Sequence, residues 1–273
     1  MDSTQCMSDI YAKATSDIAD LEIWPGYYKL RYEEFSRFMP LFPCKEFDQA
    51  LEIGCGIGYQ SALLACLSNK VMATDVDFGQ MKKHSRGINL AREFIVRLGK
   101  KNIEIKIADA QQLPFANESF DFIYCSYSFQ YIPDKNKALK EIHRVLKKEG
   151  YFFCVVPTAV YTTKIGFKNY WYLVKRIFKK KNQTGEETIQ KNTINKKRKW
   201  YDYFKKLAPL TDDADNSFIG ELFDRFPAKW KKLFTKNGYN TQVIFPFKQR
   251  FFAKTLLSFF SESVVLLSKK INE

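Results

Sequence analysis

Glu52 is followed at alternate positions by Gly54, Gly56 and Gly58, and two further carboxylates, Asp75 and Asp109, each end an apolar run. Glycines at that spacing let a backbone turn tightly and let a ligand approach with no Cβ in the way. An acid about twenty residues beyond such a loop stands where a βαβ unit places a carboxylate on ribose hydroxyls. The dinucleotide fingerprint G-x-G-x-x-G needs a third glycine at position 59, and Tyr59 occupies it, which weighs against a bound pyrophosphate. The pattern fits the opening of a nucleotide-binding βαβ unit and leaves the ligand itself open.

Strands must deliver these residues, and the hydrophobic pattern supplies them. Strand one spans about 48–53, with a helix over about 58–68. Strand two covers 70–75, a helix 78–98, strand three 103–108 and strand four 120–126. A helix over about 134–148 is expected to stop at Gly150, before a continuous apolar fifth strand, 151–157. Alternation of strand and helix implies a parallel sheet with helices on both faces. The glycine loop, Asp75 and Asp109 then share one sheet edge, where open α/β folds bind ligands.

These residues carry a resemblance. L-E-I-G-C-G-I-G-Y, T-D-V-D, D-A-Q-Q-L-P-F-A-N-E-S-F-D-F-I-Y and A-L-K-E-I-H-R-V-L-K-K-E-G-Y-F-F-C-V-V-P resemble the class I S-adenosylmethionine (SAM)-dependent methyltransferases. The likeness is to the branch with the ubiquinone/menaquinone-biosynthesis enzymes and covers roughly Asp48 to Pro157. It implies a Rossmann-like, seven-stranded, mostly parallel sheet with SAM as cofactor. It further implies that Gly54, Cys55, Gly56 and Gly58 admit the homocysteine part of SAM and that Glu52 orders the loop and the SAM ammonium. Asp75 and Val76 would meet the ribose, Asp109 and Ala110 the adenine, and the Ser126 carbonyl the ammonium. Tyr127, Gln130 and Tyr131 become candidate wall or orienting residues, with packing as the competing role.

Organisation follows from the same frame. Residues 1–47 read as an N-terminal helical lid, 48–157 with 229–273 as the methyltransferase domain, and 158–228 as an inserted cap after strand five. In the lid, Ile10, Ala14, Ile18 and Leu21 mark one helix, Trp24-Pro25-Gly26 breaks it, and Tyr27, Tyr28 and Arg31 open a second. That trio either packs in the core or touches the SAM carboxylate or the substrate. A helix from Phe226 to Gly238, strand six (Tyr239–Phe245) and a final strand over Ser263–Lys270 complete the frame. Between the last two strands, Phe251–Phe260 is amphipathic and flanked by Lys248 and Lys254, fitting packing, an interface or a bilayer surface.

Composition limits the partners. The net charge is +14, and Lys164 to Lys206 holds fourteen Lys/Arg against three acids. Such a block is either a solvated surface or a contact for an anion such as nucleic acid or a lipid headgroup. Six cysteines (Cys6, Cys44, Cys55, Cys66, Cys125, Cys154) form no C-x-x-C pair, and the four in predicted strands, helix or the glycine loop (Cys55, Cys66, Cys125, Cys154) suit small apolar residues, so the expectation is a reducing, cytoplasmic setting. No metal is assigned, no apolar run is long enough to span a bilayer, and the N-terminus lacks a signal-peptide pattern. His143 reads as structural and His84 as a surface residue, while Asp77 suits a helix N-cap better than a second ribose contact. Methyl transfer to a small molecule, sugar, lipid or quinone-like acceptor leads. Nucleic-acid methylation and a catalytically silent SAM-fold subunit are the alternatives.

Overall fold

The structure is a computed structural model that describes residues 2–76, 87–158, 226–244 and 263–271. The chain divides into two compact units: Met1–Val156 with Lys231–Pro246 and Val264–Glu273, and Pro157–Trp230 with Phe247–Ser263. The described residues lie almost wholly in the first unit. Asp77, His84, residues 159–225 and the Phe251–Phe260 segment fall outside the described residues.

Seven strands form one sheet: β1 (Phe47–Ile53), β2 (Ser68–Asp75), β3 (Ile103–Ile107), β4 (Phe120–Ser126), β5 (Leu146–Pro157), β6 (Tyr239–Ile244) and β7 (Ser263–Lys270). Their order is β3-β2-β1-β4-β5-β7-β6. Strands β1 to β5 pair in parallel, and β6 pairs antiparallel with β7. The chain builds outward from β1 to β3 on one side, then restarts at β4 on the other. The reversal between β1 and β4 opens a crevice at their carboxyl ends.

The described helices are α1 (Ser3–Ser16), α2 (Tyr27–Phe38), α3 (Tyr59–Leu64), α4 (Gly87–Leu98), α5 (Lys135–Val145) and α6 (Pro227–Lys236). Helix α1 starts where the Asp2 side chain accepts from the Thr4 N–H, and α5 where Asp134 accepts from Lys137. Helix α2 begins at Gly26, whose φ of +86° explains the break read at Trp24-Pro25-Gly26. Its Phe35 and Phe38 are buried against the aromatic strip of the sheet, Phe35 on Tyr124 and Phe38 on Phe153. Within that strip Phe47 stacks on Phe122 with centroids 4.0 Å apart, and Phe42 meets Phe153 edge-on at 4.8 Å. The Asp121 carboxylate accepts from the Asp48 and Gln49 N–H groups, pinning the start of β1 beside β4.

Two expectations are corrected. Helix α5 ends at Val145 rather than near residue 148, and Leu146 is already extended as the first residue of β5. Gly150 therefore lies inside the strand and caps nothing. Between Phe120↔Leu146 and Phe122↔Tyr151 the register shifts, so β5 bulges here. A Cβ on Gly150 would stand 2.8 Å from Leu146 Cδ1 and 3.0 Å from the Asp121 carbonyl oxygen. Close backbone approach, not a helix stop, requires the glycine. The second correction concerns cysteine: Cys6 and Cys66 are joined by a disulfide, while Cys44, Cys55, Cys125 and Cys154 are free thiols.

Candidate cofactor site at the strand tips

Register alone brings the carboxylates and glycines together. Ile53 lies opposite Thr74 and Asp75 opposite Ile107, so Gly54, Asp75 and the Ala108–Ala110 turn leave neighbouring strand ends at similar height. Glu52 lies opposite Tyr124, which sets Ser126 level with Gly54 on the other flank.

The loop between β1 and α3 is held from both sides. Gly54 and Cys55 donate their N–H groups to the Thr74 carbonyl at 2.8 and 3.0 Å. Gly56 N–H donates to Asp75 Oδ2 at 2.7 Å, and Val76 N–H to Oδ1 at 2.8 Å. All three loop glycines have positive φ: +75° at Gly54, +55° at Gly56 and +78° at Gly58. They differ in surroundings. A Cβ on Gly54 would collide with Ser128 Cβ at 2.3 Å, whereas one on Gly56 would meet nothing within 4 Å. Gly54 is thus closed off by protein, while Gly56 faces open space.

Beneath the loop, Glu52 is 1% exposed, and Ser61 donates its hydroxyl to Glu52 Oε2. Burial pushes the Glu52 carboxyl up to about 8; the Ser61 bond and the Arg31 charge oppose this, and the Asp75 charge adds to it. Burial also raises Asp75, against the two N–H groups it accepts. Cys55 is buried with Ala73 and Ala91, its thiol raised by burial and by the charges of Glu52 and Asp75. Only its backbone belongs to the loop edge.

At the adenine side, Asp109 is exposed, and its carboxylate accepts from the Gln111 backbone N–H at 2.8 Å and from the Gln111 amide. Ala110 is buried. The following turn is braced from α5: Arg144 donates to the Leu113 and Phe115 carbonyls, and Glu141 accepts from the Leu113 N–H. This i, i+3 pair was readable in the helix sequence, and nothing local pointed to its cross-chain partners.

On the β4 flank, the Ser128 hydroxyl lies 3.1 Å from the Gly54 carbonyl oxygen and 3.3 Å from that of Ser126. One hydroxyl proton cannot satisfy both acceptors fully. Sequence reasoning missed Ser128, because its contact spans 74 residues. Tyr127 holds φ +53°, rare for a non-glycine residue, with its N–H on the Val155 carbonyl. The Arg31 guanidinium, paired with Glu34 at 2.6 Å, stands 5.5 Å from the centroids of both the Tyr27 and Tyr127 rings. Tyr28 is buried against Tyr59 and Phe94, a packing role. Gln130 donates to the Tyr127 carbonyl, and its own amide oxygen is buried with no hydrogen-bond partner among the described residues. Tyr131 is 47% exposed. His143 packs edge-on against Tyr239 on the far part of the sheet.

Residues 51–154 match the model of the methyltransferase domain family. A demethylmenaquinone methyltransferase of Staphylococcus epidermidis is 30% identical over 155 residues, 54% of this chain and 61% of the relative. A ubiquinone/menaquinone biosynthesis C-methyltransferase of Rickettsia bellii is 40% identical over 139 residues, 48% of this chain and 51% of the relative. The chain thus spans between half and two thirds of the length of these curated relatives. The crystal structure of the YcgJ protein from Bacillus subtilis superposes with a TM-score of 0.52 at 15% identity, over 89% of this chain and all of that one. A Pyrococcus horikoshii protein gives 0.53 at 17% identity, over 91% and 96%.

The fold is the Rossmann-like fold of class I methyltransferases, and the match to the methyltransferase domain lies within it, over residues 51–154. Within the class the chain resembles the ubiquinone/menaquinone-biosynthesis type. The cofactor these matches imply is SAM. Among the described residues no helix is long and apolar enough to cross a membrane, and no group of three or more metal-ligating side chains occurs.

Proposed function

We propose that this chain transfers the methyl group of SAM to a small-molecule acceptor, with a quinone-like ring favoured by the names of its relatives. One observation carries the reading. The open Gly56 turn, the Asp75 carboxylate and the Ala108–Ala110 turn leave three adjacent strand tips in register.

The residues suit the cofactor in both shape and donor type. Gly56 leaves open space where a side chain would intrude. Asp75 keeps acceptor capacity beyond its two N–H partners, enough for two ribose hydroxyls. The carbonyls of Gly54 and Ser126 converge on one under-supplied point, which a group with several N–H donors would satisfy. Asp109 and Ala110 would hold the base, with Val76 beside the ribose.

When bound, SAM supplies an activated methyl on a sulfonium leaving group. The chain has then to orient and to exclude water, a task worth about 7–11 kcal/mol in favourable cases. Glu52 and Ser61 stiffen the loop from below, and Asp75 fixes its height through Gly56. Arg31, held between Tyr27 and Tyr127, ties the N-terminal α2 to the end of β4 and so covers that flank. Tyr127, Gln130 and Tyr131 follow β4 on the acceptor side, and the unpartnered Gln130 oxygen makes it the strongest of the three to orient a donor-bearing acceptor.

A second reading, nucleic-acid methylation, draws on the basic Lys164–Lys206 stretch, whose fourteen cations face three acids in sequence. Incubation with methyl-labelled SAM, a demethylquinol and, separately, mixed RNA separates them. Label in the quinol supports the proposal. Label in RNA alone moves it to the second reading, and binding without transfer to any acceptor favours a silent subunit.

A further inference from the structure

The Cys6–Cys66 bond has no part in the site described above. It joins the first turns of α1 to the residue two places beyond α3, with Cα atoms 5.8 Å apart and a sequence separation of 60. Helix α3 opens at Gly58, so the bond ties the N-terminal helix to the segment that carries the glycine loop. Lys100, just past α4, sets its ammonium 3.1 Å from Cys6 Sγ and 3.9 Å from Cys66 Sγ. Burial lowers the pKa of that ammonium, and the charge of Asp9 on α1 opposes this. A disulfide gains little from a cation, whereas a thiolate is strongly stabilised by one. Cys6 is buried and Cys66 partly exposed, so reagents reach the second sulfur more readily.

We propose that Cys6 and Cys66 form a reversible thiol–disulfide site for low-molecular-weight thiols of the glutathione class, and that the bonded state latches α1 onto the helix behind the glycine loop. A thiolate attacks Cys66 Sγ, the S–S bond breaks, and Cys6 leaves as a thiolate beside the Lys100 ammonium. A second thiol then attacks the mixed disulfide, forming the small-molecule disulfide and releasing Cys66. Two thiols are oxidised, the protein disulfide is reduced, and their two protons end on the cysteines. Met7, Ile10 and Ala14 keep α1 in the core after the bond opens, so the change loosens the helix without unfolding the chain. Any effect on SAM rests on the methyltransferase reading; the thiol chemistry does not.

The test equilibrates the full chain in glutathione buffers from reduced to oxidised, then alkylates it in denaturant and maps the label by mass. The expected result is that Cys6 and Cys66 change together between linked and doubly labelled, while Cys55, Cys125 and Cys154 are labelled throughout. Lys100→Gln should slow reduction by glutathione roughly tenfold at neutral pH through loss of leaving-group stabilisation. Cys6 and Cys66 labelled in every buffer, or changing independently, overturn the site. An unchanged rate in Lys100→Gln overturns the role of the cation. The latch is read by amide exchange in α1, expected to be faster in reduced protein and equal in both buffers for Cys6→Ser. Equal exchange in both states of the unaltered chain removes the latch. SAM calorimetry in the same two buffers should give tighter binding to the bonded form. No binding in either buffer counts against the methyltransferase reading and leaves the thiol result standing.

Discussion

Glu52 shows how far one buried side chain sets the behaviour of the loop above it. Its carboxyl is raised to about 8 by burial, whereas in the unfolded chain it titrates in the ordinary carboxylate range. Above about pH 5 the unfolded state therefore loses a proton that the folded state keeps, and stability falls as pH rises toward about 8. Denaturant unfolding across that window should show a decline of a few kcal/mol that flattens beyond it. Glu52→Gln should abolish the decline, and an unchanged slope would assign the titration elsewhere. The two neighbouring glycines separate folding from binding. Gly54→Ala drives a Cβ into Ser128 and should cost about 3 kcal/mol of stability. Gly56→Ala meets no protein atom, so it should cost about 1 kcal/mol while weakening SAM binding at least tenfold by calorimetry. At this scale the sequence was legible where a motif is local, as with the glycine spacing and Asp75. It was silent on Ser128 and on the Arg31 sandwich, whose contacts only the fold creates.

Among the elements, glycine was the signal that helped once and misled once. Gly238 follows α6 with φ +83°, the left-handed stop expected of a helix end. Gly150 followed a helical pattern in the same way, yet its φ is not positive, and the helix had already ended at Val145. Composition cannot tell a cap from a close approach, because the crowding atoms belong to Leu146 and to Asp121 on the next strand. Gly150→Ala should therefore lower stability by about 1–3 kcal/mol in urea unfolding without altering SAM affinity. A variant as stable as the parent would contradict the packing account. The parallel strands were readable because β4 and most of β5 are near-continuous apolar runs, as burial on both faces demands.

Over the whole molecule, topology did what no single residue announces. Restarting at β4 beside β1 opens the crevice, and the N-terminal helices then cover the aromatic strip of the sheet. Covalent closure adds to this packing. In the chain-entropy account, a loop of sixty residues closed by Cys6–Cys66 is worth about 4 kcal/mol. Reduction should lower the thermal midpoint measurably, and Cys66→Ser should have the lower midpoint in both buffers. Equal midpoints for oxidised and reduced protein would contradict that contribution. The pairing was illegible beforehand because two cysteines so far apart carry no local pattern, and a lack of C-x-x-C spacing says nothing about contacts between helices.

The central claim is that adjacent strand tips build one SAM site around Asp75. Titrating SAM into the intact chain and into Asp75→Ala, with unfolding curves on both, addresses it directly. The account predicts one binding event for the parent, lost or weakened at least tenfold in the variant, with folding retained. Equal affinity in a folded Asp75→Ala protein, or no heat with the parent, would contradict it.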